Sequence, residues 1–238
     1  MHVTTPALVI SSLKYGEADL IVKCYTRQAG LKSYLLRGIL KSKKGKLKKA
    51  LFLPLSLLEI EANHKDNRNL EYIKEARLLV PYQELHTDIV KQALVMFLAE
   101  MLQHSIQEEE PNKPLFDYLA ESFVWLDEAR SFANFHIVFL LQLSRYLGFY
   151  PDDQAMELPC FHLLEGRFTE AVIDPMCNCE EVVGHFKQFF GIDFDASTSV
   201  KVPKSGRLAV LNLLLRYYQL HLQNYKAPQS LTVLNQLF

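Results

Sequence analysis

The fold is decided by residues 20–39, LIVKCYTRQAGLKSYLLRGI, which have the pattern of two strands joined by a glycine turn. Leu20, Val22 and Cys24 alternate with Ile21, Lys23 and Tyr25, and a period of two places these sets on opposite faces of a sheet. Gly30 then turns the chain into a second apolar run, residues 31–39. The stretch therefore predicts a half-buried sheet, with Cys24 in its core.

Three further strand-like runs flank this pair, at residues 7–13, 51–61 and 70–78. Pro54 is expected near the start of its strand or at a bulge, because proline cannot donate a ladder hydrogen bond. Five short strands over about 75 residues favour a small closed barrel, since closure removes exposed edges.

A change of period after Pro81 predicts helices for the rest of the chain. Asp88, Ser131 and Ser205 are the predicted N-caps of three of them. A hairpin is expected to turn at Glu165 and Gly166. The prediction is an α+β fold: a five-stranded barrel over residues 1–80, then a helical domain over 81–238 with a small irregular insert at about 152–180. The predicted helices cover residues 88–106, 115–126, 132–147, 180–190, 205–222 and 230–238.

Charge is divided unevenly between these two parts. Residues 1–80 hold 11 Lys and 4 Arg against 7 acidic residues, a formal charge of +8, whereas residues 81–238 hold 11 basic and 20 acidic residues, a formal −9. Such asymmetry suggests that the first part faces a polyanion. The sequence lacks an apolar run long enough to span a bilayer and a cleavable leader, so a soluble cytoplasmic protein is expected. Four cysteines in that compartment argue against a disulfide framework.

The densest positive charge lies in residues 37–49, RGILKSKKGKLKK, here called the lysine loop. Lysines this close repel one another, so they favour a solvated loop against a polyanion. The alternative is a flexible segment that only aids solubility. Because the charge is segregated along the chain, nucleic-acid contact is the preferred interpretation. The candidate residues are Arg37, Lys41, Lys43, Lys44, Lys46, Lys48 and Lys49.

The neighbouring strands offer a second set of candidates. Lys23, Tyr25 and Arg27 share one face by period two, and Lys32 and Tyr34 share a face of the next strand. Cations interleaved with aromatic rings suit an unstacked strand, which needs both neutralised phosphates and surfaces for its bases. The alternative is an ordinary half-solvated sheet.

Catalytic motifs are missing from the sequence, which contains no glycine-rich phosphate loop, G-x-S-x-G or H-E-x-x-H. A non-enzymatic protein is therefore expected. A small Cys/His set could hold zinc, for which such ligands are typical, and the alternative is a degenerate site with free thiols. The set comprises Cys160, His162, Cys177 and Cys179.

Taken together, the order of these residues resembles the bacterial recombination mediator family RecO. The resemblance runs through Tyr15–Val22 (YGEADLIV), Arg37-Gly38 and the lysine loop, then residues 51–61 and 70–79, 135–149, 161–168 and 207–222. It implies an N-terminal OB-fold barrel and a helical C-terminal domain. It also implies a cytoplasmic, nucleoid-associated protein without catalytic activity.

The resemblance further implies binding to single- and double-stranded DNA, annealing of complementary strands, contact with the acidic tail of single-strand-binding protein (SSB), pairing with RecR, and assistance to RecA loading. Many RecO members hold zinc with paired C-x-x-C motifs, from which the C-x-C at residues 177–179 departs. Family members often have basic residues before the central helix, where this chain has Ala133-Asn134. Arg130 and Arg145 are the residues predicted to dock the tail.

Two other functions remain open at this point. An RNA-binding OB-fold factor in translation or ribosome assembly would have the same barrel and lysine loop. Binding to DNA and RNA of matched sequence distinguishes them, because only RNA offers a 2′-hydroxyl. A hydrolase with a dispersed active site is the third candidate, and nuclease and ATPase assays would reveal it.

Overall fold

The computed structural model describes residues 2–41, 47–65, 69–107, 110–172, 174–179 and 181–237. The chain forms two compact units, residues 1–128 and 129–238. Within its described residues, the first unit has five strands and two α-helices. These are β1 (His2–Tyr15), β2 (Asp19–Thr26), β3 (Gly30–Leu36), β4 (Leu57–Asn63), β5 (Tyr72–Leu78), α1 (Ile89–Ser105) and α2 (Lys113–Glu128).

The five strands form one antiparallel sheet in the order β3-β2-β1-β4-β5. The long strand β1 pairs with both β2 and β4, so that Ala7 lies opposite Thr26 of β2 and Leu58 of β4. A register shift after Val9 bends β1, and at this point Val9 exchanges backbone hydrogen bonds with residues 55 and 56 instead of the ladder. The bend allows one strand to belong to both halves of the sheet.

The OB-fold class is confirmed, but the predicted closed barrel is wrong in one respect, because the sheet does not close. β3 approaches the start of β5 at an isolated parallel bridge between Tyr34 and Glu71. Two backbone hydrogen bonds make this bridge, from Leu35 N to Glu71 O at 2.9 Å and from Glu71 N to Ser33 O at 2.8 Å. This bridge is isolated, so no continuous ladder forms between β3 and β5 in the described chain.

The interior of the sheet follows the predicted alternation. Leu20, Val22 and Cys24 are buried in one apolar cluster with Leu36 and Phe52. Burial raises the pKa of the Cys24 thiol to about 12, as expected for a thiol surrounded by apolar groups. Cys24 is therefore a core residue, as predicted.

The strand predicted over residues 51–61 begins later than expected. A 3₁₀ turn occupies Lys49–Phe52, and β4 starts only at Leu57. Between them Leu55 adopts φ of 61° and donates its N–H to Val9 O at 2.7 Å. Pro54 thus lies in a chain reversal outside the ladder, which suits a residue without an N–H.

The first unit also includes α1 and α2, and the predicted cap of α1 is confirmed. Oδ1 of Asp88 accepts hydrogen bonds from the N–H groups of Val90 and Lys91, both at 2.9 Å. The predicted domain boundary at residue 80 stays a prediction.

The second unit is mainly helical and holds a small sheet. Its elements are α3 (Phe135–Tyr146), β6 (Cys160–His162), β7 (Arg167–Thr169), β8 (Cys177–Asn178), α4 (Glu181–Lys187), α5 (Phe194–Ser197), α6 (Lys204–His221) and α7 (Leu231–Leu237). Two predicted caps are wrong: α3 follows Asn134 rather than Ser131, and α6 follows Pro203 rather than Ser205. The Asn134 amide instead holds the chain after α5, donating to Ser197 O and Val200 O.

The predicted hairpin at Glu165 and Gly166 is confirmed. β6 pairs with β7 on one side and with the short β8 on the other. Gly166 has φ of +65°, and a Cβ there would lie 2.6 Å from the Tyr217 hydroxyl oxygen. Glycine is therefore required both for the turn and for the close packing of α6. Within the described ranges, no helix has the length and apolarity needed to cross a membrane.

Candidate nucleic-acid interface

The face predicted to carry Lys23, Tyr25 and Arg27 is largely covered by α2. Tyr25 is 1% exposed, its ring lies 6.3 Å from that of Phe116, and its hydroxyl donates to Asn112 O at 3.3 Å. Arg27 makes a two-pronged ion pair with Asp117, at 2.7 and 2.9 Å, and its hydrogen bonds lower the pKa of that carboxyl. Tyr25 is too deeply buried to stack on a base. Lys23 is half-buried and Arg27, although paired, is partly exposed, so a phosphate contact by these two stays a prediction.

The second predicted pair, Lys32 and Tyr34, is also not a surface platform. Tyr34 is fully buried, and its hydroxyl lies 2.9 Å from Nε2 of His64. Burial raises the pKa of Tyr34. Tyr34 lies opposite Val22, on the interior face of the sheet, and Lys32 lies opposite the core residue Cys24. The prediction that Tyr34 serves as a base-stacking ring is therefore wrong.

The described cations of the lysine loop are exposed, as nucleic-acid contact requires, whereas Ile39 packs in the core. Arg37, Lys41, Lys48 and Lys49 all lie at the surface. Lys41 pairs with Glu17 at 2.9 Å, with both side chains largely in solvent, so a phosphate could replace the carboxylate at little cost. Lys43, Lys44 and Lys46 fall outside the described residues.

A further surface residue, which the sequence did not identify, lies next to the lysine loop. The Tyr72 ring is 36% exposed, and its hydroxyl accepts a hydrogen bond from an Arg37 guanidinium nitrogen at 3.0 Å. The guanidinium carbon lies 5.4 Å from the ring centroid. The available signal was the alternation around the buried Ile73, which places Tyr72 on the opposite face of β5.

The four metal candidates are brought together by the pairing of β6 with β8, but two of them form a disulfide. Cys160 and Cys179 are bonded to each other, contrary to the expectation of free thiols. His162 accepts a hydrogen bond at Nδ1 from Glu165 N and contacts Asp174 Oδ2 through Nε2, both at 3.0 Å. That second bond lowers the pKa of Asp174.

This arrangement does not fit a four-ligand zinc site. The ligand atoms of His162, Asp174 and Cys177 lie within 4.8 Å of one another. However, zinc needs thiolates and an imidazole lone pair, whereas two sulfurs are disulfide-bonded and both ring nitrogens are hydrogen-bonded. Cys177 is the free thiol of this group.

Metal analysis tests directly whether this group of residues binds zinc. We expect protein purified without chelators or reductants to hold far less than one zinc per chain, because the disulfide removes two sulfur ligands. Elemental analysis, paired with thiol counting on the denatured protein, is the measurement. One zinc per chain together with four free thiols would contradict the disulfide and restore the predicted zinc set.

The two arginines predicted to dock a partner lie at the surface of the second unit. Arg130 and Arg145 are both exposed. The Arg145 guanidinium stacks on Tyr150, 4.0 Å from the ring centroid, at the C-terminal end of α3. Their role in docking stays a prediction.

A cleft of the second unit combines apolar and cationic side chains. It is small, with a cavity volume of about 20 Å³, and lies between α6, α7 and the start of α3. Its apolar lining comes from Leu208, Leu211 and Leu234, and its cations are Lys204 and Arg207. Burial, together with the Arg207 guanidinium, lowers the pKa of His136 in its wall to about 3. Arg207 donates to Val202 O at 2.8 Å, while its Nε is buried without a hydrogen-bond partner among the described residues.

The fold and its exposed cations define an α+β protein with an N-terminal OB fold. Residues 1–82 match the family model described as Recombination protein O N terminal, and residues 86–155 match Recombination protein O C terminal. The chain belongs to the RecO family.

Full-length relatives support this assignment. The chain is 50% identical to the DNA repair protein RecO of Christiangramia forsetii and 45% identical to that of Flavobacterium johnsoniae, each over 100% of both chains. It is 37% identical to the DNA repair protein RecO of Bacteroides fragilis over 98% of both. The family predicted from the order of residues is thus confirmed.

Proposed function

We propose that this chain is a non-enzymatic, DNA-binding recombination mediator that acts in DNA repair on the bacterial nucleoid. It would anneal complementary strands and, with RecR, assist RecA loading on single-stranded DNA coated with SSB. The observation that carries the proposal is the group of exposed cations, Arg37, Lys41, Lys48 and Lys49, at the root of the lysine loop on an OB-fold sheet. The names of the relatives favour DNA over RNA as the polyanion.

The physical basis of annealing follows from charge. Two single strands repel each other through their phosphates, and a cationic surface that holds one strand lowers this repulsion toward its complement. Phosphate contacts carry no sequence information, so any pair of complementary strands would be accepted. No bond is made or broken, and therefore no catalytic group is required.

The experiment that tests this proposal is annealing of complementary strands coated with the cognate SSB. We expect this chain to accelerate duplex formation, with the effect weakening as salt rises. Strands coated with SSB lacking its acidic tail serve as the control for partner contact. If neither bare nor coated strands anneal faster, the mediator proposal is wrong. If this chain accelerates annealing of bare strands but not of coated strands, the proposed contact with SSB is wrong.

We further propose that the SSB tail docks in the cleft between α6 and α7. An acidic tail with an apolar end needs an apolar surface rimmed by cations. Of the leucines, the half-buried Leu208 can offer an apolar contact, with Lys204 and Arg207 beside it, whereas Leu211 and Leu234 are buried.

Charge reversal at Lys204 tests this docking site. Lys204→Glu is expected to weaken binding of a synthetic acidic tail peptide by roughly tenfold, because a favourable contact becomes a repulsive one. Lys201→Glu is the matched control, since Lys201 is exposed and lies outside the cleft lining. Fluorescence anisotropy of a labelled peptide is the measurement. Equal affinity of Lys204→Glu and wild type would place the tail elsewhere.

A further inference from the structure

The aromatic residues of the five-stranded sheet fall into two groups. The strands contain four of them, all tyrosines: Tyr15 in β1, Tyr25 in β2, Tyr34 in β3 and Tyr72 in β5. Tyr25 and Tyr34 are buried, whereas Tyr15 is 55% exposed and Tyr72 is 36% exposed. The sheet therefore presents two ring surfaces to solvent.

Both exposed tyrosines are connected to the root of the lysine loop, Tyr72 directly through Arg37 and Tyr15 through its strand partner Asp19. Tyr72 bonds to Arg37, the first residue of the loop. The next residue, Gly38, donates its N–H to Oδ1 of Asp19 at 2.7 Å. Asp19 lies directly opposite Tyr15 where β1 and β2 pair. These contacts join the strand ends that carry Tyr15 and Tyr72 to the cations of the loop root, and these residues are here called the root surface.

The β1–β2 turn holds this surface in place. Leu40 N donates to Ala18 O at 2.9 Å, and the Lys41 ammonium pairs with Glu17. These contacts fix the first arm of the lysine loop against the turn that follows Tyr15. On the other side, the Tyr34–Glu71 bridge fixes the start of β5, and with it Tyr72. The strand ends that carry the two tyrosines are thus fixed by backbone contacts.

We propose that Tyr15 and Tyr72 are base-stacking residues that make this surface selective for unpaired DNA. The inference rests on the proposed DNA binding and adds the class of strand that is preferred. Lysines alone bind phosphates of single and double strands alike. Tyrosine rings beside them add stacking that only unpaired bases can accept, because the bases of a duplex are stacked on one another. Phosphates would lie on the cations of the loop root, with bases on the flanking rings.

Affinity measurements on variants test the proposal. Tyr15→Leu and Tyr72→Leu are each expected to weaken binding to a single-stranded oligonucleotide by roughly tenfold, with the duplex affinity and the salt dependence unchanged. Tyr15→Phe and Tyr72→Phe are the controls, because each keeps the ring. Tyr72→Phe also removes the hydroxyl that bonds Arg37, which separates stacking from positioning of the arginine. Both phenylalanine variants should bind as the wild type does.

Failure of the proposed DNA binding and failure of the stacking inference give different results. If the wild type binds neither single nor double strands, the proposed function and this inference both fail. If the wild type binds single strands and the double leucine variant binds them equally well, this inference alone is overturned. An equal loss for single strands and duplex also overturns it, because stacking cannot act on paired bases.

Photocrosslinking gives a test that does not depend on variants. An oligonucleotide carrying 5-iododeoxyuridine should crosslink to Tyr15 and Tyr72 of the wild-type chain, identified by mass spectrometry of the peptides. Crosslinks found only on other residues would contradict the stacking role.

Discussion

Reversing four charges of the lysine loop, by Lys→Glu at Lys43, Lys44, Lys46 and Lys48, is expected to abolish strand annealing and leave the fold intact. If about six cations meet phosphates, log K for single strands should fall with log salt at a slope near −4, or about 0.7 per contact. Removing four of the six contacts should bring the slope to about −1.4 and lower affinity on the order of 10²–10³-fold. Filter binding over a salt series and an annealing assay on bare strands are the measurements.

A matched control separates local contact from net charge. Lys113, Lys201, Lys204 and Lys226 are exposed lysines outside the lysine loop. Their replacement by Glu changes the net charge by the same amount, but it should leave the slope near −4 because these residues are not expected to meet phosphates. Equal losses in the two quadruple variants would indicate a diffuse effect of net charge. Normal annealing by the loop variant would show that the loop only aids solubility.

The sheet was largely predictable from the sequence because its signals are local. The alternation of Leu20, Val22 and Cys24 indicates which side chains are buried on one face, and Gly30 marks the turn. The register between the strands, and whether the sheet closes into a barrel, were not predictable. They depend on contacts such as Tyr34 with Glu71, whose residues are far apart in the chain.

The predictions of Tyr25 and Tyr34 as stacking residues were wrong because both rings are buried in the fold. A period of two places Lys23, Tyr25 and Arg27 on one face, but it cannot indicate that α2 will pack there, with Phe116 and Asp117. The same limit explains why the sequence predicts Tyr25, and not Tyr72, as a base-stacking residue. Solvent exposure is set by tertiary packing, whereas the lysine loop was predictable because charge this dense must remain solvated.

The disulfide illustrates a different limit. Spacing placed Cys160 and Cys179 in one candidate group, because both flank the predicted hairpin region. The short strand β8, only two residues long, was not predictable from such a brief pattern. Its pairing with β6 determines which sulfurs meet.

The first unit contains a buried polar clamp on which its stability should depend. The carboxylate of Asp127, at the end of α2, accepts three backbone hydrogen bonds from Gln83, Glu84 and Leu85, at 2.7–2.9 Å. The ammonium of Lys91, in α1, is buried and donates to Asp127 O and to Glu84 Oε2, both at 2.7 Å. Asp127 therefore ties the segment before α1 to the end of α2.

Asp127→Ala is expected to lower the free energy of unfolding of the first unit by about 3 kcal/mol, because it removes three charge-assisted bonds and leaves backbone donors unpaired. Asp88→Ala, which removes only the exposed cap of α1, should cost about 1 kcal/mol. Lys91→Met should cost less than Asp127→Ala, because an apolar side chain of similar length can fill the buried site. Urea unfolding followed by Trp125 fluorescence, two residues from Asp127 in α2, is the measurement. Equal midpoints for Asp127→Ala and Asp88→Ala would show that water replaces the lost bonds and that the clamp contributes little.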